Sequence, residues 1–248
     1  MDTSRQQSNG AKAATSLVRL GFAKRLINAF AVVAFLVTLV STMAISTRAS
    51  EEAKTGSERQ TIIILGDSLA AGYGLDLSES FPALLQKKVD ENALKFSVVN
   101  AGISGDTSAG GLRRIDWLLK RRVDVLVLEL GGNDGLRGIP ATATRTNLQA
   151  IINRTKQKYP QALIVVAGMQ MPPNMGADYN AAFAKIFPDL AKANNAALIP
   201  FLLEGVGGKP ELNLPDMIHP TAEGHKIVAE NVWKVLRPVL EKGIAAKP

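Results

Sequence analysis

A serine, an aspartate and a histidine in this sequence are placed where they could carry out acyl transfer. Ser68 follows the apolar run of "TIIILGDSLAAGYGL", while Asp216 and His219 lie close together in "PDMIHP". A serine hydroxyl is a weak nucleophile at neutral pH and needs a neighbouring base, which the His219 imidazole can supply. Asp216 can accept the other ring N–H of His219 and stabilise the imidazolium. Because Pro220 disfavours helical geometry before it, His219 is expected in an extended or turn conformation.

A second group of residues could stabilise the oxyanion that forms when a serine attacks an ester carbonyl. The backbone N–H groups of Ser68 and Gly105, with the side-chain amide of Asn133, could supply three donors. A glycine at position 105 lets the backbone approach the substrate oxygen closely. Each of these residues also has a simpler interpretation as a turn residue, and His219 as a structural histidine. His225 lies in a helical pattern and is predicted to belong to the surface or the core.

Short apolar runs alternate with longer amphipathic runs, and this alternation predicts the elements that position these residues. The apolar runs are continuous in Val, Ile and Leu, as in strands that helices cover on both faces. They lie at Thr61–Leu65, Phe96–Asn100, Val123–Glu129, Ala162–Ala167 and Ala197–Pro200. Helical patterns lie near Ser80–Asn92, Ala109–Lys120, Thr142–Lys158, Tyr179–Asn195 and Thr221–Leu240, with a bend foreseen at Pro238. The pattern predicts an α/β fold with a doubly wound parallel sheet, whose strand ends and candidate residues meet at one edge.

Four sequence blocks resemble those of the SGNH/GDSL hydrolases. They are "GDSL" at Gly66–Leu69, Gly105 in "SGDTS", Asn133 in "GGND", and the pair Asp216 and His219 in "DMIHP". The first block alone is a weak signal, but four blocks in this order at these spacings are specific.

The resemblance implies a serine esterase that hydrolyses carboxylic esters or thioesters through an acyl-enzyme intermediate. Aryl esters, acyl thioesters and lysophospholipids are the substrates it suggests. It implies Ser68 as nucleophile, His219 as general base and Asp216 as the residue that orients it. It also implies Ser68, Gly105 and Asn133 as the oxyanion hole. The implied fold is a flavodoxin-like three-layer α/β/α sandwich with strand order 2-1-3-4-5, without a metal or organic cofactor.

The resemblance further places the acyl chain in a groove bordered by the segments Gly135–Pro140 and Met169–Gly176. Met217 stands where relatives often have glycine in Asp-Gly-Ile-His, and the glycine- and proline-rich "EGVGGKPELNLP" precedes it. Both departures concern the mouth of the groove. They therefore bear on the preferred acyl-chain length rather than on the chemistry.

The basic character of the chain is concentrated at its amino terminus. The formal net charge is +7, of which residues 1–49 carry +5, so the rest of the chain is nearly neutral. This distribution argues against nucleic-acid binding. The expected partner is a small acyl-ester substrate, and the protein is expected to be a monomer. The absence of cysteine excludes disulfides and thiolate metal sites.

The amino-terminal segment predicts export from the cytoplasm. Leu26–Ile45 is a run of twenty uncharged residues that follows Lys24 and Arg25. This pattern is typical of a signal peptide and could also span a bilayer as an uncleaved anchor. We therefore predict a signal peptide or membrane anchor in residues 1–49, a linker in residues 50–59 and an SGNH/GDSL hydrolase domain in residues 60–243. The predicted location is the periplasm, with attachment to the inner membrane, facing the periplasm, as the alternative.

Three other hypotheses remain open from the sequence. A flavodoxin-like sheet could cradle a flavin phosphate after the first strand, although Asp67 there would repel the anion. A hard cation could bind aspartates on loops at one sheet edge, namely Asp67, Asp106, Asp134 and Asp216. The chain could also be a catalytically inactive relative. Against this hypothesis, every expected catalytic position is filled.

Overall fold

The structure, a computed structural model, describes residues 59–245 of the chain. The predicted signal peptide or anchor in residues 1–49 lies outside the described residues, as does the predicted linker apart from Arg59. Within residues 59–245, no helix combines the length and the apolar character needed to cross a membrane. The description that follows therefore concerns the predicted hydrolase domain.

Five parallel strands form the sheet of this domain. They are β1 (Gln60–Gly66), β2 (Phe96–Gly102), β3 (Val125–Glu129), β4 (Leu163–Ala167) and β5 (Ala197–Ile199). Their order is β2-β1-β3-β4-β5, and every neighbouring pair is parallel. All of β3 is buried, as its continuous apolar sequence predicted. The order and the pairing confirm the predicted flavodoxin-like α/β fold.

Helices cover the sheet on both faces. They are α1 (Ser68–Ala71), α2 (Phe81–Glu91), α3 (Ser108–Leu118), α4 (Gly132–Leu136), α5 (Ala141–Lys158), α6 (Ala177–Ala184), α7 (Ile186–Ala193) and α8 (Ala222–Ala245). The helix α2 packs against α8, while α3 packs against α5 and α5 against α7. Right-handed crossovers place these two groups on opposite faces, because β2 lies on one side of β1 and the later strands on the other.

The short helices α1 and α4 were not predicted, although each starts within three residues of the end of a strand. They have four and five residues, too few to show helical periodicity in the sequence. Each contributes to the candidate site, since Ser68 is the first residue of α1 and Asn133 the second residue of α4.

The single helix predicted near Tyr179–Asn195 is wrong, because the chain forms α6 and α7 with a break at Lys185. Pro188 explains the break. It has no N–H to donate, and its ring would clash with the carbonyl of Ala184 if one helix continued. The final helix includes Pro238 and runs on to Ala245, beyond the predicted end.

A buried histidine joins two of the helices. His225 of α8 is 1% exposed, and its Nδ1 accepts a hydrogen bond of 3.1 Å from the backbone N–H of Phe81 in α2. This confirms that His225 belongs to the core rather than to the site. Burial, and secondly the nearby His219, lowers the pKa of His225 from 6.5 to about 4. The histidine is therefore held neutral, with Nδ1 available as an acceptor.

We predict that His225 makes the stability of the domain fall with acid. The unfolded histidine takes up a proton near pH 6.5, whereas the folded one resists protonation until about pH 4. Its stabilising contribution is therefore complete above pH 6.5 and is lost as the pH falls from 6.5 to about 4. The free energy of unfolding should decrease over this range by an amount on the order of 3 kcal/mol. The variant His225→Asn keeps an acceptor for Phe81 but does not titrate. Urea unfolding between pH 8 and pH 4 should show a shallower decline for the variant, and parallel declines would contradict the prediction.

Candidate active site

Ser68 is the first residue of α1 and is separated from the end of β1 by Asp67 alone. The Asp67 carboxylate caps this helix by accepting the Leu69 N–H at 3.0 Å. The carbonyl of Ser68 accepts the N–H groups of Gly72 and Tyr73. Ser68 itself is buried, with 8% of its surface exposed, at this edge of the sheet.

Two paired glycines let α1 approach the strand ends closely. Gly66 and Gly102 are register partners at the ends of β1 and β2. A Cβ on Gly102 would lie 2.3 Å from the backbone nitrogen of Ala71. A Cβ on Gly66 would lie 2.2 Å from Oε2 of Glu129. Larger residues at either position would therefore displace the turn that carries Ser68.

The structure brings Ser68, His219 and Asp216 together. The Oγ of Ser68 lies 2.8 Å from Nε2 of His219, and Nδ1 of His219 lies 2.6 Å from Oδ2 of Asp216. The hydrogen bonds from the backbone and ring N–H groups of His219 lower the pKa of Asp216 to about 2. Asp216 is therefore an anion that can only accept, so Nδ1 must carry the ring hydrogen. The lone pair of Nε2 is then free to accept the hydroxyl hydrogen of Ser68.

The loop that carries Asp216 and His219 is held by its own backbone. Oδ1 of Asp216 accepts the N–H groups of Ile218 and His219 at 2.9 and 3.0 Å. The Leu214 N–H donates to the carbonyl of His219 at 2.7 Å. Met217 has a φ of 60°, the left-handed conformation that glycine adopts readily. The loop thus has a left-handed backbone at Met217, the position where the resemblance implied a glycine.

Tyr73 packs on His219, the candidate base. The sequence analysis did not predict this contact. The ring centroids of Tyr73 and His219 are 4.4 Å apart, with an angle of 38° between the planes. Tyr73 is half exposed and lies between Gly72 and Gly74, which both have positive φ. The two glycines flanking an aromatic residue were the available signal, because they mark a turn that re-aims the side chain between them.

Asn133 lies beside the turn that carries Ser68. Gly105 is connected to Asn133 through the next residue, Asp106. Nδ2 of Asn133 donates to the carbonyl of Asp106 at 2.9 Å and to Oδ2 of Asp67 at 3.2 Å. Gly105, with a φ of 78°, directly precedes Asp106, and its carbonyl accepts from Arg137 at 3.1 Å. Both hydrogens of the Asn133 amide thus have partners in the free protein.

Two buried carboxyl groups support the turn from below, and the role of Glu129 was not foreseen. Oε2 of Glu129, at the end of β3, accepts the N–H of Asp67 at 3.1 Å. Burial raises the pKa of Asp67 to about 6, against the opposing effect of the bond from Leu69. Burial, reinforced by the nearby Asp67, raises the pKa of Glu129 well above its usual value. The sequence did not indicate this role of Glu129, because a single acidic residue at the end of an apolar run is typical of the end of a strand.

A cavity of about 660 Å³ opens from Ser68 and His219. Its apolar wall includes Leu136, Met169, Met171, Pro172 and Pro173. Both segments that the resemblance placed beside the groove, Gly135–Pro140 and Met169–Gly176, therefore contribute to this wall. A further wall comes from the segment after β5, with residues Phe201, Leu203, Gly207, Gly208 and Asn213. Met217 and Ile218 lie at the mouth and are about half exposed.

The four aspartates considered as cation ligands each accept hydrogen bonds from the protein. Asp67 accepts from Leu69, Asp106 from Arg114, Asp134 from Ser108 and Asp216 from His219. Within residues 59–245, no three His, Cys, Asp or Glu side chains are grouped so that they could hold a metal ion. The geometry therefore uses these carboxylates to hold backbone and side chains in place.

Comparisons with known proteins agree with the geometry. The family model described as the GDSL-like Lipase/Acylhydrolase family matches residues 64–227. The chain is 42% identical to Esterase TesA of Pseudomonas aeruginosa, over 73% of this chain and 90% of that protein. It is 43% identical to Thioesterase 1/protease 1/lysophospholipase L1 of Escherichia coli, over 73% and 85%. The psychrotrophic esterase EstA from Pseudoalteromonas, in a crystal structure inhibited by monoethylphosphonate, matches with a TM-score of 0.69 at 35% identity, over 73% of this chain and 99% of that chain.

We predict that Glu129 supports the turn as a neutral acid. Its Oε1 has no hydrogen-bond partner among the described residues, an arrangement that would be costly for an ionised carboxylate. Glu129→Gln keeps the acceptor for Asp67 and should change the free energy of unfolding at pH 7 by less than about 1 kcal/mol. Glu129→Ala removes the acceptor and leaves a cavity, at a cost of about 2–4 kcal/mol. If urea unfolding shows that both variants lose the same free energy of unfolding, the negative charge of an ionised Glu129 is needed, and the prediction is wrong.

Proposed function

This chain belongs to the GDSL-like lipase/acylhydrolase family and is a hydrolase of ester bonds, and we propose that it acts through an acyl-enzyme intermediate on Ser68. The observation that carries this proposal is the hydrogen-bonded series from Ser68 to His219 to Asp216, with distances of 2.8 and 2.6 Å. Ser68 lies 151 residues before His219 in the sequence, and Asp216 lies close to His219. Acyl transfer by an activated serine uses all three groups in this order.

The geometry supports a two-step cycle. Oγ of Ser68 attacks the ester carbonyl carbon while its proton passes to Nε2 of His219, and an oxyanion forms. As the carbonyl re-forms, the bond to the leaving alcohol or thiol breaks, and that group takes the proton from Nε2. Water then attacks the carbonyl carbon of the acyl-serine ester and gives its proton to Nε2 of His219. As the bond from this carbon to Oγ of Ser68 breaks, Oγ takes that proton back from Nε2, and the acid is released. Asp216 stabilises the imidazolium in both halves of the cycle.

We propose the backbone N–H groups of Ser68 and Gly105 and the Asn133 amide as donors to the oxyanion. In the free protein the amide makes its shorter bond to the Asp106 carbonyl and its longer bond to Asp67. The longer bond is the one that we expect the oxyanion to replace, since the Asp106 bond fixes the orientation of the amide. A donor that is aimed before the charge develops needs no reorganisation during the reaction.

The cavity supports a small acyl ester as the substrate. Its methionine, leucine and phenylalanine side chains suit the acyl chain, while the leaving group would face the exposed side near Tyr73. Acyl thioesters and lysophospholipids, which the name of the Escherichia coli relative suggests, and aryl esters all present a carbonyl that Ser68 could attack. We propose no nucleic-acid partner, and a monomer as the active form, because one chain supplies Ser68, His219 and Asp216.

The replacement Ser68→Ala tests the function directly. It removes the nucleophile without removing backbone N–H donors, so we expect the kcat for p-nitrophenyl acetate to fall roughly 10⁴-fold or more. The circular dichroism spectrum should not change. A fluorophosphonate probe should label the wild-type protein and leave the variant unlabelled.

The matched control is Ser78→Ala, at an exposed serine outside the cavity. It should keep both turnover and labelling. Substantial turnover by Ser68→Ala would mean that another residue is the nucleophile. Turnover that a chelator abolishes and a fluorophosphonate leaves intact would support metal-dependent hydrolysis instead.

We propose that residues 1–49 export the domain to the periplasm. The proposal is supported by the uncharged run Leu26–Ile45 that follows Lys24 and Arg25. A cleaved signal peptide would release the domain, and an uncleaved segment would keep it at the inner membrane. In the second case this segment would be its attachment to the membrane.

The full chain with a carboxyl-terminal tag, expressed in a Gram-negative host, distinguishes these cases. We expect the activity in the periplasmic extract, in a protein whose mass corresponds to cleavage near residue 49. Full-length protein in the membrane fraction would indicate the anchor. Full-length protein in the cytosol would contradict export.

A further inference from the structure

Arg114 of α3 makes three hydrogen bonds at the end of the sheet that carries the site. Its Nε donates to Oδ2 of Asp106 at 2.7 Å, its Nη1 to the carbonyl of Ala101 at 2.7 Å and its Nη2 to the carbonyl of Gly66 at 2.9 Å. The side chain of Arg114 is 17% exposed and that of Asp106 is 12% exposed. The guanidinium is therefore fixed in a largely buried position by acceptors on three segments.

Two of these acceptors adjoin the donors of the proposed oxyanion hole, and the third, Ala101, lies at the end of β2 before the Gly105 loop. Gly66 ends β1 and precedes Asp67 and Ser68. Asp106 directly follows Gly105, and its carbonyl holds the amide of Asn133. One planar group thus links the segments that carry Ser68 and Gly105, and the carbonyl of Asp106 links the second of these to Asn133.

The helix is adapted to this arrangement one turn before Arg114. A Cβ on Gly110 would lie 1.6 Å from Oδ1 of Asp106. Only a glycine there leaves room for the Asp106 carboxylate to reach the guanidinium four residues further along α3. The positions of Gly110, Asp106 and Arg114 are therefore mutually dependent.

We propose that Arg114 is a positioning residue for the oxyanion hole, an inference that rests on the proposed function. It acts through the backbone of Gly66 and Asp106 and does not contact the substrate. Its charge is balanced by Asp106, so its contribution is geometric. A lysine could not replace it fully, because one ammonium group cannot reach three acceptors in the plane of a guanidinium.

The test compares Arg114→Met with Arg113→Met, at an exposed arginine one position earlier on the same helix. For Arg114→Met we expect kcat for p-nitrophenyl esters to fall roughly 10²-fold, as for loss of one oxyanion donor, with KM changed by less than about threefold. The affinity for an alkylboronic acid, which forms a tetrahedral anion on the serine, should fall in parallel. Arg113→Met should stay within about twofold of the wild type in all three quantities.

Two further variants keep the result interpretable. Arg114→Lys keeps the aliphatic stem and one donor, so it should give an intermediate kcat, and it replaces the methionine variant if that protein does not fold. Asn133→Ala removes a proposed donor directly and should lower both kcat and boronate affinity. Circular dichroism and thermal unfolding establish that each variant is folded.

The outcomes separate this inference from the proposed function. Loss of boronate affinity in Asn133→Ala but not in Arg114→Met overturns the role of Arg114 alone. A rise in KM at unchanged kcat in Arg114→Met also overturns it, since that result indicates substrate binding. Unchanged affinity in both variants overturns the oxyanion hole proposed above together with this inference, while Ser68→Ala still tests the nucleophile independently.

Discussion

The structure depends on one constraint, which is that three strands of a sheet buried on both faces end side by side. Their last backbone groups lose the partners that the sheet would provide, and an unpaired buried N–H or C=O is costly. Side chains supply part of the bonding that is lost there. Glu129 accepts the N–H of Asp67, and Arg114 donates to the carbonyl of Ala101. Arg114 also donates to the carbonyl of Gly66, which accepts the backbone N–H of Ile103 as well. The same bonds that make burial of the strand ends tolerable also fix the turn that carries Ser68, the proposed nucleophile.

Burial at this edge also sorts the carboxyl groups by charge. Asp67 and Glu129 lie under the turn, where desolvation raises the pKa of each. Asp216 lies on an exposed loop, where N–H donors lower its pKa. An anion is therefore favoured beside His219, where the proposed cycle forms an imidazolium, and burial works against an anion at Glu129, beneath Ser68, where it would oppose the proposed oxyanion. Environment assigns different tasks to residues of the same chemical type.

The parts that sequence could predict are those with a local signature. The apolar runs gave the five strands and their parallel arrangement, and the turn chemistry after the strands indicated Ser68, Asp216 and His219. The supporting residues have no such signature, because their function depends on contacts across long stretches of sequence. Glu129 and Asp67 are 62 residues apart, and Arg114 and Gly66 are 48 apart. Helices α1 and α4 were missed because they are too short to be periodic, and the break in the predicted helix near Tyr179–Asn195 required the steric effect of one proline.

The loop after β5 separates the chemistry of the site from its specificity. An antiparallel bridge between Asn213 and Pro220 closes the base of the turn that bears Asp216 and His219. Its remaining bonds come from backbone groups and from Oδ1 of Asp216, none of which uses the side chain of Met217. A left-handed conformation at a residue with a side chain costs roughly 1–2 kcal/mol, so the turn is held by its own hydrogen bonds against that strain. Because the imidazole of His219 is placed independently of the Met217 side chain, substitutions at the mouth of the cavity can alter the proposed acyl-chain preference without moving the proposed base.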